Sequence, residues 1–247
     1  MMFSAIIAPS PAEAEKKSSF ENRIFPEDET LNENRPAHRT HPYGGTLVWG
    51  DTHRPTIINP ILTTHSVSAG LIELLFDSLV RIDSEGNVIL GLAESWDMSD
   101  DGLEYTFYLR KGVMFHDGLE LTAEDVKFTY DQINDPVNRS YWKTNPELIE
   151  RWKIIDDYTV KIILKEPFAN ILDKLVREIV PRHLLEGKDL YSTEFNYFPI
   201  GTGPFRFQKW DRKTNQIELI ANSDYFEGRP YLDKFIVKIY SDNSQLW

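Results

Sequence analysis

The run from Gly91 to Ile133, GLAESWDMSDDGLEYTFYLRKGVMFHDGLELTAEDVKFTYDQI, constrains the fold more than any other stretch, because every junction in it carries its own local cue. In Glu104-Tyr105-Thr106-Phe107-Tyr108-Leu109 the β-branched and aromatic residues are dense, which suits a pleated, half-buried strand, and Arg110-Lys111-Gly112 ends it. Val113-Met114-Phe115 is strand-like and runs into Asp117-Gly118, a turn dipeptide in which glycine supplies positive φ. Thr122 stands where a helix cap is needed. Asp125, three residues on, can reach back as in a capping box, and acidic residues are favoured at this positive end of the helix dipole. The helix is predicted to bury Val126, Tyr130 and Ile133.

The rest of the chain predicts a mixture of α and β. Thr46 to Trp49 suggests a strand, and Ser66 or Ser68 is placed to cap a helix in which Leu71, Leu74, Leu75, Ser78 and Leu79 recur at helical spacing. A turn is expected at Glu85-Gly86-Asn87. Tyr158, Val160, Ile162 and Leu164 alternate with polar residues as on a half-buried strand, until Pro167 breaks the pattern. Phe205 to Trp210, Ile217 to Ile220 and Phe235 to Tyr240 are three further strand candidates, and no internal repeat or low-complexity tract interrupts them.

Composition narrows the function. The 39 acidic residues against 27 basic ones leave a formal charge of -12, which disfavours a nucleic-acid or anionic-membrane surface. There is no cysteine, so a disulfide framework, a thiolate metal site, a cysteine nucleophile and a lipid-modified N-terminal cysteine are all excluded. Residues 1–14 begin with an apolar stretch and end in Ala12-Glu13-Ala14, the small-x-small form of a signal-peptidase site, although no basic segment precedes it. They are taken as the tail of a secretory signal whose start lies upstream. Residues 15–43 are polar, carry Pro26, Pro36 and Pro42, and suit a disordered linker. Beyond them no apolar run is long enough to span a bilayer.

Taken singly, the candidate chemical groups fall short of a reaction. Asp97, Ser99, Asp101 and Gly102 mimic the first half of a calcium loop, but the twelfth position is Tyr108 where a bidentate glutamate is needed. His38 and His41 sit in the proline-bearing linker with no third ligand at a recognisable offset. Gly201 and Gly203 suggest a dinucleotide loop until Arg206 appears in place of the third glycine, and Phe205-Arg206-Phe207 continues as strand. His116-Asp117 and Asp156-Asp157 are adjacent pairs at turns, whereas the carboxylates that flank a glycosidic bond come from separate elements. With no nucleophile elbow, zinc-binding histidine pair or phosphate loop, the reading is not an enzyme, with no cofactor and no metal.

The Gly91–Ile133 run resembles the signature stretch of the extracellular solute-binding proteins of peptide and nickel ABC importers, the oligopeptide- and dipeptide-binding family 5. The resemblance extends in order along the chain. Gly44-Gly45-Thr46-Leu47-Val48 is similar to the opening strand, Asn59-Pro60 to the turn after it, and Leu75-Phe76-Asp77-Ser78-Leu79-Val80 to the end of the first helix. Asp156 to Val160 resembles the returning strand, Ile179 to Leu185 the Pro-Lys-His-Leu-like helix start, and Gly201 to Phe205 the glycine-rich turn. Asn222-Ser223-Asp224-Tyr225-Phe226-Glu227-Gly228 matches the family's Asn-Pro-Asp-Tyr-Trp loop, with Ser223 in place of proline and Phe226 in place of tryptophan.

This resemblance implies an α/β, periplasmic-binding-protein-like fold of type II, cluster C. Residues 44–76 and 168–247 would form a discontinuous, incomplete lobe I, and 77–167 a small inserted domain. The family's second large lobe would follow Trp247, so the chain is taken as a fragment or one piece of a split gene, with Phe235 to Tyr240 left as a poorly covered apolar strand. The implied function is capture of di- or oligopeptides for delivery to ABC transporter permease subunits, in the periplasm or outside the cell, by a monomer when full length. A nickel chelate or an oligosaccharide is the alternative ligand, and a non-functional remnant the alternative status. By position in the family pattern Thr63, Thr64, His65 and Ser66 would lie at the cleft mouth, and Tyr141 and Trp142 would supply aromatic contacts.

Overall fold

A computed structural model describes residues 43–143 and 148–241. The expected signal and linker segments, with His38 and His41, lie outside the described residues apart from Tyr43, the last linker residue, whose ring packs 5.6 Å from that of Tyr231. Strand β1 (Thr46–Asp51) opens the fold and is followed by helix α1 (Ser66–Leu75) and a two-stranded ribbon, β2 (Val80–Ile82) with β3 (Val88–Leu90). Next come β4 (Ala93–Met98), β5 (Glu104–Leu109), helix α2 (Ala123–Asn134), β6 (Ile149–Asp156) and β7 (Thr159–Leu164). A one-turn helix α3 (Arg182–Leu185) precedes β8 (Phe205–Asp211), β9 (Gln216–Ala221) and β10 (Lys234–Ile239).

The strands form two four-stranded sheets. One has the order β4-β5-β7-β6, is antiparallel throughout, and draws every strand from between Ala93 and Leu164. The other has the order β1-β10-β9-β8 and takes strands from both ends of the described chain, with Thr46 opposite Lys234 and Asp51 opposite Ile239 in its one parallel pairing. The alternation predicted for β7 is present: Val160, Ile162 and Leu164 are buried and face α2. That helix starts as its sequence predicts. Asp125 Oδ2 accepts from both the Thr122 backbone N–H (2.9 Å) and the Thr122 hydroxyl (3.2 Å), and Val126, Tyr130 and Ile133 are buried. Tyr130 stacks on Trp152 of β6 with centroids 4.6 Å apart, and its hydroxyl donates to the Leu175 carbonyl, which closes the helix over the sheet.

Helix α1 departs from prediction at both ends. Neither serine caps it: His65 holds the N-cap position without a side-chain bond, Ser66 is the first helical residue, and Ser68 is inside the first turn and fully buried. At the other end the helix stops at Leu75, short of Ser78 and Leu79, because the Gly203 N–H takes the Leu75 carbonyl (3.0 Å) that a continuing helix would offer to Leu79. Glycine is required there, since a Cβ at Gly201 or Gly203 would collide with the Leu75 backbone. Ser78 and Leu79 continue as extended chain, and their carbonyls receive the N–H groups of Leu92 and Ala93.

The strand expected to be uncovered is an interior one. Parallel β1 pairs along β10 on the side away from β9, so Phe235, Val237 and Ile239 are buried, and the exposed apolar edge is β1, where Val48 is 54% and Leu47 40% exposed. No helix among the described residues is long and apolar enough to cross a membrane.

Candidate functional site

The connection from β1 to α1 is fixed by a buried asparagine. Asn59 Oδ1 accepts from the Ile61 N–H (3.0 Å), its carbonyl accepts from the N–H groups of Leu62 and Thr63 (3.2 and 3.1 Å), and Asn59 Nδ2 donates to Asn196 Oδ1 (2.8 Å). The carbonyls that follow this turn are gripped from the inserted segment between α2 and β6. Ser140 Oγ donates to the Ile61 carbonyl (2.6 Å) and Trp142 Nε1 donates to the Thr63 carbonyl (3.1 Å), a pair of bonds joining residues 79 positions apart. Thr63 and Trp142, selected from distant parts of the sequence, are thus in direct contact.

Tyr141 stands edge-on to the Trp142 ring at 5.5 Å and is 78% exposed. Thr64 and Ser66 are exposed, His65 is half-buried, and its ring lies 6.2 Å from that of His53, which is itself paired with Asp51. The six predicted residues therefore form one neighbourhood through two linked segments. Two polar atoms within it lack partners: His65 Nδ1 and, inside the first turn of α1, Ser68 Oγ.

Sequence reasoning missed two members. Ser140 holds the turn from behind, and the Arg177 guanidinium lies over the Trp142 ring at 4.2 Å from its centroid. The available signal for Arg177 was the charged pair Arg177-Glu178 interrupting the apolar run Leu175 to Val180. Burial pushes the Glu178 carboxyl up, with the neighbouring Arg177 opposing that shift.

A second cluster of titratable groups holds the Gly201-Thr202-Gly203 turn. Asp77 is buried, accepts from Thr202 Oγ1 (2.9 Å) and the Tyr225 hydroxyl (2.8 Å), and is pushed up to about 6 by burial. Glu227, beside Tyr225, forms a two-pronged pair with Arg81. On the other side His116 Nδ1 accepts from the Gly201 N–H (3.2 Å) while Nε2 donates to the Gly203 carbonyl (3.0 Å). Those two bonds require the neutral ring, and burial holds His116 down to about 4. The acidic loop between β4 and β5 is a turn: Asp101 Oδ1 accepts from Ser99 Oγ and the Leu103 N–H, and Asp97 accepts from the Tyr108 hydroxyl. An open cavity of about 350 Å³ beside Lys111, Asp157 and Tyr158 shares no residue with either cluster.

Residues 87–247 match the profile of the bacterial extracellular solute-binding proteins, family 5 Middle. The oligopeptide-binding protein AppA of Bacillus subtilis is 40% identical over 208 residues, which are 81% of this chain and 38% of that protein. The glutathione-binding protein GsiB of Pectobacterium atrosepticum is 33% identical over 190 residues, 76% of this chain and 37% of its own length. Among solved structures, AppA in complex with a nonapeptide superposes with a TM-score of 0.73 at 38% identity, over 83% of this chain and 42% of that one. NikZ of Campylobacter jejuni in complex with Ni(L-His) superposes with a TM-score of 0.74 at 35% identity, over 81% of this chain and 40% of that one. The chain thus spans about two fifths of the length of these relatives, and the fold is that of type II periplasmic binding proteins.

Proposed function

The chain belongs to the family 5 bacterial extracellular solute-binding proteins of ABC importers, and from that premise we propose that it contributes one wall of a peptide-binding cleft. The observation that carries this reading is the double grip of Ser140 and Trp142 on the Ile61 and Thr63 carbonyls, which holds Thr63, Thr64, His65 and Ser66 beside Tyr141 and Trp142. Two segments locked together in the free protein form a preorganised surface, so little ordering entropy is lost when a ligand docks. Peptide backbone lies along the Thr63–Ser66 segment through main-chain and hydroxyl contacts, and the exposed Tyr141 ring covers it. Residues 44–76 and 168–247 act as one lobe and 77–167 as an inserted domain, a division supported by the membership of the two sheets. Closure of a second lobe over the ligand produces the form that a membrane permease accepts, in the periplasm or outside the cell. The reading assigns no catalytic step.

A metal chelate is the second reading, favoured by the similarity to NikZ in complex with Ni(L-His). Calorimetric titration of the full-length protein with a mixed di- to pentapeptide library, and separately with nickel plus L-histidine, distinguishes the two. Binding of the library alone supports peptide capture, and binding of the chelate alone replaces it.

A further inference from the structure

Helix α1 begins within the candidate wall, and the positive end of its dipole is left uncompensated. Its first turn holds no acidic residue, and the His65 side chain at the N-cap makes no capping bond. Among the described residues no hydrogen bond uses the backbone N–H of Ser66, Val67 or Ser68, and Thr63 Oγ1 accepts instead from the His65 N–H (3.3 Å). Free N–H groups are ordinary at a helix start that water reaches, but Val67 and Ser68 are fully buried residues. Two side chains repeat the deficit. Of the three buried side-chain polar atoms without a partner among the described residues, two lie here, His65 Nδ1 and Ser68 Oγ. Ser68 is the third helical residue, the position from which a side chain leans back over the first turn and in a capping box reaches the N-cap. Its hydroxyl is therefore directed to the same end as the three free N–H groups, and no group of the protein meets it. A two-oxygen acceptor at that end would satisfy these donors together, and a negative one gains further from the dipole. Asp51, the acidic residue linked to this neighbourhood through His53, is already engaged by the His53 N–H (2.7 Å) and ring (3.1 Å).

We propose that the start of α1, through the N–H groups of Ser66, Val67 and Ser68 and the Ser68 hydroxyl, receives a carboxylate of the bound ligand. This rests on the peptide reading above and adds a charge preference to a wall otherwise limited to main-chain and hydroxyl contacts.

The test is calorimetric titration of the full-length protein with the mixed di- to pentapeptide library in three forms: free acids, C-terminal amides that contain an Asp or Glu side chain, and C-terminal amides that contain none. The wild-type protein should bind the free acids roughly fivefold to thirtyfold more tightly than the amides without an acidic side chain. Preference for the free acids alone assigns the carboxylate to the ligand's C-terminus, and an equal gain from the acidic amides assigns it to a side chain as well; either supports the inference. Ser66→Glu puts a carboxylate on the exposed first residue of the turn. It should raise the melting temperature by complementing the dipole, yet bring the acid-to-amide ratio close to one by competing for the same donors. A helix start that served the fold alone would give the first change without the second. Ser68→Ala should lower the ratio severalfold with no loss of melting temperature, since the hydroxyl it removes has no partner in the free protein. Equal wild-type affinity for all three forms, or a preference that Ser66→Glu leaves intact, overturns the inference while peptide binding stands. Failure of the wild type to bind any of the three rejects the peptide reading itself and the inference with it.

Discussion

Trp142 is engaged on three sides: its indole N–H by Thr63, its face by Arg177, and its edge by Tyr141. Each contact has a separable consequence. Trp142→Phe keeps an aromatic face for Arg177 but leaves the Thr63 carbonyl without its donor, so the expected loss of folding stability is about 1 kcal/mol in a denaturant titration. Trp142→Ala removes the face as well, and the loss of peptide affinity should reach about 1 to 3 kcal/mol, as for an interface aromatic of middling weight. An Ala variant with unchanged affinity in calorimetry would show that the ring serves the fold alone. At this scale family pattern placed Thr63 and Trp142 in one candidate site, but neither the bond between them nor Arg177 was legible. A hydrogen bond across 79 positions has no local signature, and an arginine inside Leu175 to Val180 looks like an interruption of a core segment until its partner ring is known.

The junction of elements at Gly201-Thr202-Gly203 carries a pH prediction. Three elements meet there: the end of α1 through Leu75 and Asp77, the loop after β5 through His116, and the entry to β8. Asp77 stands at about 6 in the fold against 3.8 unfolded, so between those values the native state holds more protons and stability falls as pH rises. His116 stands at about 4 against 6.5, so between those values the unfolded state holds more protons and stability rises with pH. Arg206 and Asp117 also act on His116, and Arg81, Glu227 and Tyr225 act on Asp77, so the windows belong to these clusters. The two slopes oppose each other from about pH 4 to 6 and largely cancel. Relative to wild type, Asp77→Asn should therefore gain stability as pH rises across that interval, and His116→Gln should lose it; parallel curves for all three proteins would refute the assignment. Elements with clean periodicity, β5, β7 and α2, were legible because propensity and burial agree in them. Strand β6 was not, since Ile149–Asp156 is an edge strand with two register shifts and only Trp152 buried, which leaves no two-residue alternation to detect. The end of α1 was misjudged because a glycine turn more than a hundred residues away takes the Leu75 carbonyl.

At the scale of the whole molecule, the exposed apolar edge is set by topology. The family resemblance, with the chain read as a fragment, marked Phe235 to Tyr240 as the strand at risk, because nothing in that segment announces that the chain's opening strand will lie parallel to it. Parallel pairing between segments nearly two hundred residues apart protects β10 and transfers the exposure to β1, whose outer edge has no neighbouring strand among the described residues. On β1, Leu47 and Val48 point to opposite faces of the sheet and both remain exposed, so neither face of the edge is covered at that end. An unpaired strand edge with two exposed aliphatic side chains and no charge between Thr46 and Gly50 invites pairing with a second copy. The 247-residue chain is accordingly expected to self-associate at tens of micromolar, despite a net charge of -12 that opposes nonspecific association. Val48→Lys places a charge on the more exposed of the two positions while leaving the Trp49 contact with Phe235 on the other face intact. It should shift sedimentation toward monomer with an unchanged far-ultraviolet circular dichroism spectrum, whereas Val137→Lys, at an exposed residue away from the edge, should leave the association as it was. A wild-type chain that sediments as a single monomer over the same concentrations, or a Val48→Lys chain that associates as strongly, would mean that the β1 edge is not where copies meet.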